Sequence, residues 1–255
     1  MCLIAWNWQP DSATPLLLIA NRDEFYSRPS AALHWWQDGS VLAGKDLQGG
    51  GTWLGVDRHG RLAALTNYRD PQNNRPNARS RGPLVSGFLQ GNLSADDYLA
   101  RLSHEVGQFN PFNLLLFDGQ QLVGFESRGA RCVAMSPGIG AVSNAQFNTP
   151  WPKLVRLKAA LAGLAALEQT PADARLFEIL VDRTVPLDAN LPHTGIPLEI
   201  ERALAMAFIA LPDYGTRASS VVRIHRTTLE FVERSFDGSG PIGELKKQDT
   251  HIFAS

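Results

Sequence analysis

CLIAWNW at residues 2–8 and LLLIA at residues 16–20 are the two apolar runs from which the architecture of this chain follows. The segment between them, residues 9–15, contains two prolines together with Asp, Ser and Thr, which are typical turn residues. Two apolar runs of strand length joined by such a turn predict a β-hairpin. The first strand of the fold is therefore expected to begin at a cysteine, Cys2.

The remaining patterns predict further hairpins and several helices. Strands are predicted at residues 53–57, 61–67, 112–118, 121–126, 132–135, 140–143, 219–225 and 228–235. Helices are predicted at residues 83–90, 95–106, 151–167, 172–181 and 198–208. Strands, then helices, then strands, without an alternating βαβ order, predict an α+β fold in which helices cover antiparallel sheets. We expect one domain over residues 1–255.

Composition and charge narrow the classes of partner. The formal net charge is -1, so no overall basic surface favours nucleic acid as a partner. No signal peptide or apolar run long enough for membrane insertion is present, which predicts a cytoplasmic protein. The two cysteines and six histidines lack zinc-site spacing, and no metal is predicted. Cys132, in a predicted strand, is expected to be a buried structural thiol.

Cys2 is a candidate reactive residue because it directly follows the initiator methionine. A small second residue favours removal of the initiator Met1, which would leave Cys2 with a free α-amine. A thiol beside an amine of ordinary pKa ~8 combines a nucleophile and a base in one residue. The alternative is that Cys2 is only a small buried hydrophobic residue on a strand.

Several short motifs occur in order over residues 1–230. They are Met1-Cys2, Asn21-Arg22-Asp23-Glu24, GGGTWLGV at residues 49–56, ALTNYR at residues 64–69, VSNA at residues 142–145, Pro150-Trp151 and YGTR at residues 214–217. In this order they resemble the NRDE family, also called the Transport and Golgi organization protein 2 family. The tetrapeptide at residues 21–24 is the one that names the family.

That family is similar in turn to the cysteine branch of the N-terminal-nucleophile (Ntn) hydrolases, which includes bile salt hydrolases, penicillin V acylases and acid ceramidases. The resemblance implies a four-layer αββα sandwich, with two antiparallel sheets between helical layers. It also implies that Cys2 attacks a non-peptide C–N amide bond of a small molecule. No cofactor is required for that reaction.

The same resemblance assigns roles to polar residues. Arg22 corresponds to the arginine that holds the thiolate, and Asp23 to the aspartate that orients the α-amine. The hydrolases separate these two residues by two positions, whereas here they are adjacent, so Glu24 is an alternative to Asp23. The remaining site residues implied by the resemblance are Asn67 and Asn144 in the oxyanion hole and Arg217 near the nucleophile. The alternative is a strand-end ion pair of Arg22 with Asp23 and two asparagines in turns.

A second interpretation makes the protein a carrier. Members of the NRDE family are linked to haem trafficking and lipid handling, and a cysteine thiolate is also a haem ligand. Under this hypothesis the same pocket binds haem or a lipid-like ligand without turnover. The loop containing Arg69, Arg75, Arg79 and Arg81 either binds an anionic group of the ligand or is solvated surface.

Overall fold

The computed structural model describes residues 2–167 and 170–253, which form two antiparallel sheets and five helices. The strands are β1 (Cys2–Trp8), β2 (Leu16–Phe25), β3 (Ser30–Trp35), β4 (Val41–Asp46), β5 (Leu54–Asp57), β6 (Leu62–Asn67), β7 (Phe112–Phe117), β8 (Leu122–Glu126), β9 (Arg131–Ala134), β10 (Gly138–Val142), β11 (Tyr214–Ile224), β12 (Thr228–Asp237) and β13 (Gly240–His251). The helices are α1 (Gly82–Gln90), α2 (Ala95–Ser103), α3 (Pro152–Ala165), α4 (Asp173–Leu180) and α5 (Leu198–Leu204).

The two sheets stack, and helices cover their outer faces. The six-stranded sheet has the order β10-β1-β2-β11-β12-β13, and the seven-stranded sheet runs from β3 to β9 in chain order. Side chains such as Ile4 and Leu18 from the first sheet pack against Val56 and Leu115 from the second. The predicted four-layer αββα sandwich is confirmed.

The central strands β1 and β2 are apolar on both faces because both faces are covered. Along β1, Ile4 and Trp6 face the other sheet, whereas Leu3 and Ala5 pack against α3 and α4. Helices α1 and α2 cover the outer face of the seven-stranded sheet in the same way. A strand buried on both sides reads as a continuous apolar run rather than as an alternating one, which is the pattern at residues 2–8 and 16–20.

The structure also departs from several predictions. Strand β2 continues through Phe25, so residues 21–24 lie within the strand rather than after it. Strands β3, β4 and β13 were not predicted, and α5 ends at Leu204 instead of residue 208. The prediction of a buried Cys132 is wrong, because this thiol lies on the edge strand β9 and is exposed. Among the described helices, none has the length and apolar character needed to cross a bilayer.

A close contact between Gly140 and Trp6 fixes the outer pair of strands beside Cys2. The two residues are partners in the β1–β10 ladder, and Trp6 is only 1% exposed. A Cβ atom added to Gly140 would lie 2.2 Å from Cζ2 of the Trp6 indole. The rigid indole is held in the core between the sheets, so it has no room to move away.

We expect Gly140→Ala to lower the free energy of unfolding by about 1–3 kcal/mol, because the added methyl group overpacks a filled site. Urea unfolding followed by tryptophan fluorescence measures this change. Gly163→Ala is the matched control, since its position in α3 has open space and should gain about 1 kcal/mol from helix propensity. Equal stabilities of the two variants would contradict the packing argument.

Candidate active site

Strand register places Cys2 in a row of residues that face one cavity. Cys2 pairs with Arg22 across β1 and β2, Arg22 pairs with Ala218 of β11, and Ala218 pairs with Ser235 of β12. All four residues line a cavity of about 690 Å³. This volume is in the range of pockets that bind small organic ligands.

The four residues at positions 21–24 have different environments. Asn21 is buried and donates to the carbonyls of Leu180 and Ala207, which ties β2 to the helical layer. Arg22 faces the cavity and donates no hydrogen bond to residues 2–167 or 170–253. Asp23 is 1% exposed and accepts a 2.8 Å hydrogen bond from Thr216 Oγ1.

Glu24 differs from Asp23 in its position. It is half-buried at the cavity wall, and its carboxylate lies 3.8 Å from Arg28 Nε. Burial raises the pKa of Asp23, whose carboxyl group has the more enclosed environment of the two. Both residues line the cavity, and Asp23 is the more deeply buried of the two.

The thiol of Cys2 is protonated at neutral pH in this arrangement. Cys2 is 7% exposed, and burial raises its pKa to about 11, with a further contribution from the Asp23 carboxylate and an opposing one from Arg22. Ser143 Oγ donates to the Cys2 carbonyl at 3.0 Å, which fixes the strand at this end. A base is needed before this sulfur becomes a good nucleophile.

The two asparagines have separate functions in the structure. Asn67 ends β6 and lines the cavity, and its side-chain amide makes no hydrogen bond to a described residue. Asn144 is fully buried and does not line the cavity. Its Nδ2 donates to the Asn67 carbonyl at 2.8 Å, and its Oδ1 accepts from Ser143. Asn144 thus holds the backbone of Asn67, which lines the cavity.

Two arginines also reach the cavity from other segments. The guanidinium of Arg217 donates to the carbonyls of Phe25, Tyr26 and Arg28, so it secures the turn that follows β2. Arg81 lies at the start of α1 and interacts electrostatically with Cys2, while burial lowers the pKa of its guanidinium. Arg81 therefore brings positive charge near the thiol from outside β2, and it belongs to the basic loop identified in the sequence.

Glu233 is an acidic residue of the cavity that the sequence analysis missed. It is 3% exposed, and Oε1 accepts a 2.8 Å hydrogen bond from the Leu33 backbone N–H. Burial raises its pKa to about 7, whereas the nearby Arg22 lowers it. In the sequence, Glu233 is marked by its spacing. It follows Leu229 and Phe231 at alternate positions, which places an acidic side chain on the apolar face of β12.

A group of buried charges lies behind Cys2, on the side of the helices. Arg69 and Glu201 form an ion pair at 2.6 Å, with both side chains almost fully buried. Lys153, in the first turn of α3, is 2% exposed and donates to the Leu204 carbonyl at 2.9 Å. Burial lowers the pKa of Lys153 to about 8. The sequence signal for Lys153 is its position four residues before Leu157, on the apolar face of the helix.

Comparison with known proteins places the chain in a family. The model of the family described as Transport and Golgi organisation 2 matches residues 1–238. The chain belongs to this family. The Transport and Golgi organization protein 2 homolog of Bos taurus is 38% identical over 266 residues, which cover 94% of this chain and 95% of the relative. The homolog of Homo sapiens is 35% identical over 259 residues, which cover 92% of this chain and 93% of the relative.

Solved structures show the same fold in a hydrolase. A mutant of conjugated bile acid hydrolase from Clostridium perfringens aligns with a TM-score of 0.54 at 9% identity, over 98% of this chain and 92% of that chain. A second variant of that hydrolase aligns with a TM-score of 0.52 at 10% identity, over 97% of this chain and 92% of that chain. This member of the Transport and Golgi organisation 2 family therefore has an Ntn-hydrolase fold.

We expect the stability of the protein to depend on pH through Glu233. Its raised pKa means that the folded state holds a proton that the unfolded chain releases, so stability falls as pH rises from about 4.5 to 7. Glu233→Gln removes this loss. Between pH 4 and pH 8, the free energy of unfolding of the wild type should therefore fall relative to that of the variant by on the order of 3 kcal/mol. Urea unfolding at several pH values measures the difference.

The control for this experiment is Glu244→Gln, which removes an exposed carboxylate from the same cavity wall. This variant should keep the wild-type pH dependence. An unchanged pH dependence in Glu233→Gln would show that the Glu233 carboxyl group titrates alike in the folded and unfolded chains.

Proposed function

We propose that this protein is a cysteine amidohydrolase that cleaves a non-peptide C–N amide bond of a small molecule. The observation that carries the proposal is the cross-strand pair of Cys2 and Arg22 at a cavity of about 690 Å³, with the unbonded amide of Asn67 at the same cavity. A nucleophile, a cation and a hydrogen-bond donor are the groups that acyl transfer requires.

The raised pKa of Cys2 makes a nearby base necessary. In the proposed enzyme, Met1 is removed and the α-amine of Cys2 becomes that base; Met1 itself lies outside the described residues. The amine takes the thiol proton as sulfur bonds to the amide carbon, and the carbonyl oxygen becomes an oxyanion that Asn67 stabilises. Asn144 supports Asn67 through its carbonyl, as the 2.8 Å contact indicates.

The second half of the reaction restores the enzyme. The tetrahedral intermediate collapses, its C–N bond breaks, and the leaving amine takes the proton held by the α-ammonium group. Water then loses a proton to the α-amine and attacks the thioester. The C–S bond breaks to release a carboxylic acid, and the α-ammonium group returns its proton to the departing sulfur, which restores the thiol and the neutral amine. Arg22, which has no hydrogen bond to a described residue, supplies positive charge next to the sulfur.

Intact-mass analysis with a covalent probe tests this mechanism. Because Cys132 is exposed, the experiment uses Cys132→Ala as the parent protein. We expect this parent to lack Met1, to gain one iodoacetamide adduct, and to release nitrophenolate from p-nitrophenyl acetate. The matched variant Cys2→Ala in the same background should lose both the adduct and the release of nitrophenolate. Cys2-dependent turnover by protein that retains Met1 would contradict the α-amine mechanism.

We also propose, as the second candidate, that the cavity binds haem or a lipid-like ligand without turnover. Two observations favour binding: the pKa of Cys2 near 11 disfavours an active thiolate, and Arg22 and Arg81 present guanidinium groups that suit the carboxylates of such a ligand. A member of the family with this function would use the same residues as the hydrolase.

Haem titration distinguishes the two candidates. If the protein is a haem carrier that uses the thiol, wild type should show a Soret shift that Cys2→Ala lacks, and p-nitrophenyl acetate should not be turned over. Arg22→Met should weaken haem binding by roughly tenfold if the guanidinium contacts a carboxylate. Identical spectra for wild type and Cys2→Ala, together with turnover, would argue against the carrier.

A further inference from the structure

Thr216 is a buried hydroxyl residue that contacts Asp23 from the neighbouring strand. It lies on β11, pairs with Asp23 of β2 in the ladder and is 1% exposed. Its Oγ1 lies 2.8 Å from Oδ1 of Asp23. A hydroxyl group of β11 is therefore in direct contact with the carboxyl group that is assigned to the α-amine of Cys2.

The hydrogen bonds of Thr216 set the direction of this contact. The backbone N–H of Ile209 donates to Oγ1 at 3.0 Å, and Ile209 and Asp23 are the partners of that oxygen among residues 2–167 and 170–253. A hydroxyl group has one proton, and a backbone N–H only donates. The proton of Thr216 is therefore directed to Asp23, whose Oδ1 is the acceptor.

The backbone around Thr216 holds its hydroxyl group in place. The N–H of Thr216 donates to the Ile209 carbonyl at 2.8 Å, so the two residues exchange hydrogen bonds in both directions. Ile209 itself is fully buried. Threonine is branched at Cβ, which leaves it few side-chain conformations. The donor therefore reaches Asp23 from a fixed position.

A β-bulge determines which residue of β11 lies opposite Asp23. Ala218 pairs with Arg22. The next pair along β2 is Asp23 with Thr216, because the register of β11 shifts between Thr216 and Ala218. A regular ladder would place Arg217 opposite Asp23, and bulges near active sites are known to redirect side chains. Here the bulge gives Asp23 a neutral donor, while the guanidinium of Arg217 binds the turn after β2.

A fixed carboxylate matters at one step of the proposed reaction. When the α-amine of Cys2 takes the thiol proton it becomes an ammonium group. A carboxylate that accepts a hydrogen bond from this group stabilises its charge and keeps the nitrogen beside the sulfur. A carboxylate that is free to rotate loses part of this effect. Thr216 keeps its own proton throughout, so it acts on the nucleophile through Asp23.

We propose that Thr216 is a positioning residue that fixes the Asp23 carboxylate in the orientation in which it holds the α-amine of Cys2. This inference rests on the proposed function, because it requires that Met1 is removed and that this amine is the base. The contacts that carry it are the two at Oγ1, one from the Ile209 N–H and one to Asp23. If the hydroxyl group acts through the carboxylate, loss of either group should remove the same contribution to turnover.

A double-mutant cycle of Thr216 and Asp23 tests this role. Turnover of p-nitrophenyl acetate is measured in the Cys132→Ala background, and intact mass confirms that Met1 is absent. Thr216→Val removes the hydroxyl group at nearly constant shape and should lower kcat by about tenfold, the effect of one hydrogen bond to a charged group. Thr216→Ser keeps the donor and should stay within about threefold of the parent. In the Asp23→Asn background, Thr216→Val should lower kcat by less than about twofold.

Ser219→Ala is the matched control, because Ser219 is a second fully buried hydroxyl residue of β11 that contacts β2. Its Oγ donates to Oδ1 of Asn21 at 2.6 Å rather than to Asp23. Any effect of this variant on kcat should be the same in the parent and in the Asp23→Asn background. If Thr216→Val does not fold, as judged by circular dichroism and urea unfolding, Thr216→Ala replaces it with the same expected coupling.

The outcomes separate this inference from the proposed function. An equal loss of kcat from Thr216→Val in both backgrounds overturns the inference, because the hydroxyl group then acts through Ile209 and the packing of β11. Parental turnover by Asp23→Asn also overturns it, since the carboxylate is then not required. A loss in Thr216→Ser as large as that in Thr216→Val has the same consequence. Absence of Cys2-dependent turnover in parent protein that lacks Met1 instead overturns the proposed function itself, and with it the role of Thr216.

Discussion

The alternation of side chains along β2 is the constraint on which the site depends. Successive residues of a strand point to opposite faces, so Arg22 reaches the cavity while Asn21 bonds the carbonyls of Leu180 and Ala207 in the helical layer. A shift of register by one residue would exchange these environments and bury the guanidinium among the helices. The apolar residues that precede them, Leu16 to Ala20, are buried on both faces and keep the register fixed.

The interior on the helical side combines several ionisable groups that a stable fold alone does not require. Removing a charge from water costs several kcal/mol per ion, and the direct contact between Arg69 and Glu201 recovers part of that cost. Lys153 and Asp23 have hydrogen bonds to Leu204 and Thr216, which are neutral partners. Buried groups with perturbed pKa values tend to cluster at functional sites, and this cluster lies directly behind the residue that pairs with Arg22.

The sequence predicted most of the fold because local patterns encode most of its elements. The hairpin at residues 2–20 has strong apolar runs and dense turn residues; β1 has its predicted bounds, whereas β2 begins as predicted and continues to Phe25. Strand β3 is half-buried, and β13 is a polar edge strand that carries Lys246 and Lys247; neither has the apolar run by which strands are recognised. Charged residues are common on such edges because they discourage pairing with another chain.

The site residues were predictable only where a motif marked them. Cys2, Arg22, Asn67 and Arg217 line the cavity. Arg217 is also bound to backbone carbonyls, and Asn144 lies behind Asn67. For Glu233 and Lys153 the sequence offered only a weak signal, a charged residue on an apolar face. Their environments are set by contacts with residues far away in the chain. Register across β11 and β12, rather than any local pattern, brings Glu233 to the cavity.

The order of the strands has a consequence for the timing of protein synthesis. Strand β1 is made first, but its second partner β10 begins at Gly138, and β11, which completes the row beside Arg22, begins at Tyr214. At a translation rate of about 5–20 residues per second, roughly ten seconds or more pass between the synthesis of Cys2 and the synthesis of β11. Once the chain is complete, Cys2 is 7% exposed. On the proposed mechanism, removal of Met1 during synthesis would precede the burial of Cys2 by these later strands.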